Sequence, residues 1–174
     1  MPQSTGYSRA SIVIHWLAAI LIVALFFTHE ANRGSMGYMF HVSIGALLGL
    51  FLLWRVARRV MRGMTQKPQQ AFIYNLASQI VITGLLVAIV AVVISGYLLP
   101  WSQGQPLDIA GLFAIPSPMS ANHNFHEIVE EVHEISGKLF IPLLLLHILG
   151  TLKHAFIDRD NIAQRMFRSI AGGR

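Results

Sequence analysis

Four long apolar stretches dominate this chain and restrict what it can fold into. Ser11–Thr28, Phe40–Val60, Leu76–Leu99 and Ile135–Ile157 contain no aspartate or glutamate. Each approaches or exceeds the roughly 20 residues that a helix needs to cross about 30 Å of hydrocarbon. Composition agrees: 54% of the 174 residues are hydrophobic and 12% are charged, about half the charged share of an ordinary soluble domain. A disordered tail, a nucleic-acid module and a solvated enzyme are excluded on that ground. The expectation is an all-α, integral membrane four-helix bundle, one domain over residues 1–174. The first stretch follows Arg9 and has the outline of a signal peptide. It holds His15, and no small-x-small cleavage site follows, so it reads as a retained helix.

The basic residues orient the bundle. Arg9 precedes the first span, and Arg55, Arg58, Arg59, Arg62 and Lys67 gather between the second and third. Lys153, Arg159, Arg165, Arg168 and Arg174 follow or close the fourth. The first connection has only Arg33, and Pro100 to Glu134 has no Lys or Arg. By the positive-inside rule both termini and the middle loop are expected in the cytoplasm, with a long periplasmic loop between helices 3 and 4. The net charge of +5 therefore belongs to membrane topology and not to nucleic-acid binding. Pro100, Pro106, Pro116 and Pro118 are expected to break the third connection into loop, and Ala121–Glu134 to form a polar, helical lead-in to the fourth span.

Eight histidines are an unusual number for so apolar a chain, and an imidazole inside a membrane helix marks a functional hypothesis. His133 and His147 lie 14 residues apart, on one helix face and about 21 Å apart along the axis. Once orientation is set, His41 lies level with His133 at the outer depth, and His15 lies level with His147 at the inner depth. Two pairs of imidazoles are thus expected at two depths. The competing reading, for any one of them, is a histidine bonded to a neighbouring helix.

Paired neutral imidazoles suit a six-coordinate haem iron held from both faces. The chain has no cysteine, so covalent attachment, thiolate ligands and iron–sulfur clusters are excluded and the haem would be of b type. Zinc would call for more ligands per site, and proton relays of pumps for acids within the spans. Gly45 and Gly49 follow His41 at intervals of four and Gly137 follows His133 by four, leaving a low helix face for a flat macrocycle; close helix packing explains such glycines equally well. Arg9 and Arg55 are the expected propionate partners of the inner haem, and Arg33 or Lys138 of the outer one, with topology signalling as the alternative role.

The ordered set of these residues resembles the bacterial cytochrome b561 family, four-helix dihaem proteins related to the cytochrome b subunits of hydrogenases. The set comprises Tyr7-Ser8-Arg9 before His15-Trp16, His41-Val42-Ser43 with Gly45, Arg55 and Arg58-Arg59, and Gly96. It continues with the Trp101-to-Pro116 loop, His133-Glu134, His147, and His154 before Asp158 and Asn161. The resemblance implies His15 with His147 for the cytoplasmic-side haem and His41 with His133 for the periplasmic-side haem. It also implies a quinone-binding region at His154, which by itself reads equally as an interfacial histidine at a helix C-terminus. His29, His123 and His126 lie outside the family pattern. His29 is a rival outer ligand or a polar interfacial residue. His123 and His126 with Glu127, Glu130 and Glu131 form either a divalent-metal site or a solvated face.

Two haems stacked across a membrane make a wire, in which the protein sets potentials and docks donor and acceptor. The acceptor is expected to be membrane ubiquinone at the cytoplasmic end, with His154, Lys153 and Asp158 as proton sources. Some family members resemble superoxide oxidases, which gives superoxide:ubiquinone chemistry as the most specific expectation. The external segments carry Glu30, Asp108, Glu127, Glu130, Glu131 and Glu134 against Arg33 and Lys138. That acidic balance is unfavourable for capturing an anion and suits a basic protein donor. Two other readings stand beside it: a cytochrome subunit anchoring a periplasmic redox enzyme, and a histidine-lined metal-ion transporter.

Overall fold

The computed structural model describes residues 9–61 and 71–159. Tyr7, Ser8, Arg62, Lys67, Asn161, Arg165, Arg168 and Arg174, used above for topology or resemblance, lie outside the described residues. Four helices carry the fold: α1 (Arg9–Thr28), α2 (Met36–Met61), α3 (Phe72–Ser102) and α4 (His123–Lys153), the last continued by a π-helical turn, His154–Asp158. All four are long and apolar enough to cross a membrane. Their large side chains are exposed along whole faces, with Val13, Ile20 and Phe27 on α1 and Ile73, Ile80 and Val87 on α3 as examples. That distribution is stable against lipid tails and costly against water.

Local chemistry sets the ends. Arg58 and Arg59 occupy the last turn of α2, where their charge complements the helix dipole, and Arg58 lies over the Trp54 ring at 5.4 Å. Asn122 caps α4, its side chain accepting from the Phe125 amide at 3.0 Å. The polar segment after Asn122 is helical and continuous with the fourth span. Together with the π turn it makes 36 residues, about 54 Å of helix, so one end of it stands clear of the hydrocarbon.

The third connection departs from expectation in two ways. Pro100 does not open the loop: α3 runs through it to Ser102, and the amides of Gln103 and Gln105 close on the Pro100 carbonyl at 3.1 and 2.9 Å. Gly104 then turns the chain at φ +68°, where a Cβ would meet the Ala121 amide nitrogen at 3.1 Å. The fold is also not purely helical. Leu107–Ile109 (β1) and Phe113–Ile115 (β2) pair antiparallel, with Asp108 opposite Ala114. Ala110 and Gly111 both take positive φ, as a type I′ turn demands, and the Asp108 carboxylate accepts from the Gly111 amide at 3.0 Å. Leu107 and Ile109 point inward onto Ala46, Val42, Tyr97 and Trp101. The hairpin therefore plugs the α2–α3 end with a small apolar core that three proline-flanked residues could not announce in the sequence.

The packed seams run between α3 and α4, α2 and α3, and α1 and α2; among the described residues no comparable seam joins α1 to α4. Small residues make the seams close. A Cβ at Gly49 would come within 2.8 Å of Val93, and one at Gly84 within 3.2 Å of Leu143. Tyr97 donates its hydroxyl proton to the Ala46 carbonyl and so ties α3 to α2.

Candidate functional site

The four histidines singled out by depth sit half-buried on α1, α2 and α4, and the structure brings the outer two face to edge. The rings of His41 and His133 stand with centroids 6.3 Å apart and planes 79° apart. That separation is within the range of an edge-on ring contact, and it also admits one metal ion bonded to a nitrogen on each side at about 2 Å. The second nitrogen of each ring is already committed. His41 Nδ1 lies 2.9 Å from the Leu25 carbonyl on α1, which can only accept, so Nδ1 carries the proton. His133 Nδ1 lies 3.1 Å from the Ser95 hydroxyl on α3. Each ring therefore keeps Nε2 for a metal, the arrangement in which an outer partner fixes tautomer and ring plane. Residues, protonation and spacing all fit a bis-imidazole haem.

The inner pair is looser. His15 on α1 is within electrostatic reach of both His147 and Arg55, and Trp16 meets it edge-on at 5.8 Å. Arg55 on α2 is within electrostatic reach of His15, and Arg9 is the exposed first residue of α1. Arg33 is exposed in the first connection. Lys138 is paired with Glu134 one turn away, both side chains largely exposed. Gly137 has nothing within 4 Å of a built Cβ, so the α4 face one turn beyond His133 is open.

The remaining histidines have other partners. His29 stacks on Phe26 with centroids 5.2 Å apart, places Nδ1 2.5 Å from the Phe26 carbonyl and Nε2 3.7 Å from Glu30. Nδ1 is thus engaged by a main-chain carbonyl, while Nε2 has only a distant, exposed carboxylate as neighbour. His126 locks the start of α4 to the end of α3 through Ser102 Oγ at 2.8 Å and Gln103 at 2.6 Å. His123 pairs with Glu127 at 3.3 Å. Among the described residues no three His, Cys, Asp or Glu gather as a metal site.

At the opposite end of α4 the π turn gathers a polar cluster. Lys153 Nζ bonds both Asp158 oxygens at 2.8 and 2.6 Å, His154 Nδ1 lies 3.2 Å from Asp158, and the Lys153 ammonium sits 4.3 Å above the Tyr74 ring. A π-helical turn is uncommon and frequently found at functional sites. It brings Lys153, His154 and Asp158 onto one corner, with Tyr74 from α3 closing it. The α3 contributions, Ser95 and Tyr74, were missed in the sequence. Ser95 stood out only as a hydroxyl within an apolar span.

Four membrane-length helices, with one histidine pair ring to ring and a second pair within electrostatic reach, are the frame of a multi-pass membrane protein. Comparison with known proteins gives the family. The family model of prokaryotic cytochrome b561 matches residues 6–169, and the chain belongs to that family. It is similar to cytochrome b561 homolog 2 of Escherichia coli (strain K12), with 27% identity over 92% of this chain and 90% of the relative. It is also similar to cytochrome b562 of Cereibacter sphaeroides, with 21% identity over 97% of this chain and 99% of the relative. The protein is a membrane b-type cytochrome of electron transfer, multi-pass in the bacterial inner membrane.

Proposed function

We propose that the protein carries two haem b groups at two depths and moves electrons between a periplasmic donor and the ubiquinone of the bilayer. His41 with His133 holds the outer haem, His15 with His147 the inner one, and Arg55, joined by Arg9, meets the inner propionates. The observation that carries this reading is the outer pair: two rings 6.3 Å apart, each with Nδ1 bonded elsewhere. When bound, haem supplies one-electron redox chemistry at each depth. His41 with His133 and His15 with His147 would hold the groups, Leu25 and Ser95 fix the planes of the two outer rings, and apolar helix faces keep water away. Both termini and the Arg55–Arg59 end of α2 face the cytoplasm, and the hairpin faces the periplasm.

The corner formed by Tyr74, Lys153, His154 and Asp158 suits a quinone head, which needs apolar access and protons delivered as it is reduced. His154 and Lys153 carry those protons, and Asp158 holds both side chains in place. At the outer end, superoxide is the most specific donor: it gives up one electron and leaves as dioxygen. The test is reduction of the purified holoprotein by a superoxide-generating system. Reduction that superoxide dismutase abolishes supports the reading, and no reduction discards the superoxide step. The acidic outer face of α4, with Glu127, Glu130 and Glu131 exposed, favours one second reading, a basic periplasmic protein as donor. Neutralising those three residues then slows reduction by that partner, whereas superoxide reduction would speed up.

A further inference from the structure

We infer that Ser95 and Gly96, consecutive residues of α3, form the seat that orients His133, so that a helix contributing no ligand of its own tunes the outer centre. This rests on the proposed bis-histidine haem. Ser95 is 3% exposed and lies within the apolar third span, seven residues before its helix ends at Ser102, where a buried hydroxyl must find partners within the protein. Its Oγ is 2.6 Å from the Ala91 carbonyl and 3.2 Å from that of Val92. A carbonyl can only accept, so the single hydroxyl proton points back along α3. The oxygen is then left to accept from His133 Nδ1 at 3.1 Å. The Val92 carbonyl also lies beside the His133 ring, a second acceptor that favours the same protonated Nδ1. Nε2 of His133 is thereby the nitrogen left for the iron.

Gly96 supplies the clearance. A Cβ there would come within 3.1 Å of His133 Cε1 and 3.5 Å of Nδ1, so any larger residue pushes on the same ring edge that Ser95 binds. The two outer ligands consequently differ in their support. His41 donates to a main-chain carbonyl, Leu25, which no substitution removes. His133 has a side-chain acceptor in Ser95, which one substitution deletes, leaving only the Val92 carbonyl beside its ring. An acceptor on Nδ1 makes imidazole a stronger donor and stabilises the ferric state, and partners of this kind commonly matter tenfold or more to a metal site.

The experiment is a redox titration with low-temperature EPR on purified holoprotein: wild type, Ser95→Ala, Ser95→Thr and Gly96→Ala. His41→Ala marks which signal belongs to the outer haem. Ser95→Ala is expected to keep two haems and to shift the outer ferric–ferrous equilibrium toward ferrous by about three- to tenfold, tenfold being 59 mV for one electron. The inner haem stays where it was. An unshifted outer potential in a two-haem Ser95→Ala protein overturns the seat. Should Ser95→Ala lose the outer haem, retention in Ser95→Thr supports the hydroxyl's role and loss in both overturns it. Gly96→Ala is expected to change the EPR signature of the outer haem alone, and an unchanged signature overturns the clearance. A wild-type protein with fewer than two haems fails the underlying reading instead, so the two failures are distinguishable.

Discussion

Each of the four paired histidines has a partner whose loss should be felt at one depth only. His41→Ala and His133→Ala are expected to remove the same haem band and spare the other, and His15→Ala and His147→Ala to remove the second. Spectra of the four variants check this, and loss of different haems within one pair would break the pairing. The positions of these residues were legible because an ionisable ring inside an apolar run is conspicuous and helix spacing converts number into depth. Their supports were not legible. The Leu25 carbonyl belongs to the main chain and has no sequence signature, and Ser95 meets His133 across 38 positions of chain. The pairing of Lys138 with Glu134 was legible as an i, i+4 pair.

Between helices, close approach depends on glycine. A methyl group at Gly49 would overlap Val93 at 2.8 Å, so Gly49→Ala should force α2 and α3 apart at a cost of about 1–3 kcal/mol. A lower midpoint in a detergent thermal melt is the expected result, with His41, eight residues earlier on α2, displaced enough to perturb the outer haem spectrum. The spans themselves were readable from hydropathy because lipid imposes length and apolarity on any helix that crosses it. The hairpin was hidden. Leu-Asp-Ile is too short to establish a period of two, and Ala110 takes a positive φ that its residue type does not advertise. The π turn was equally silent, since it changes hydrogen bonding without changing composition. Its importance is testable: His154→Ala is expected to slow quinone reduction at least severalfold while both haem spectra stay intact, and an unchanged rate counts against the quinone corner.

At the scale of the molecule, the bundle divides its labour by depth and by side. The C-terminal end of α2 is basic and the N-terminal end of α4 is acidic, and the histidine pairs lie between. The acidic side repels an anion, and salt screens that repulsion over about 8–10 Å at physiological ionic strength. Raising ionic strength should therefore leave superoxide reduction unchanged or faster, and should slow reduction by a basic protein. A stopped-flow salt series separates the two donors. The central claim, that two histidine pairs hold two haem b groups in one chain, is tested most directly by a pyridine haemochrome assay with a reduced-minus-oxidised spectrum on the purified protein. Two b haems per chain with low-spin bands are the predicted result. A protein that takes up no haem when expressed with ample haem supply would contradict the account.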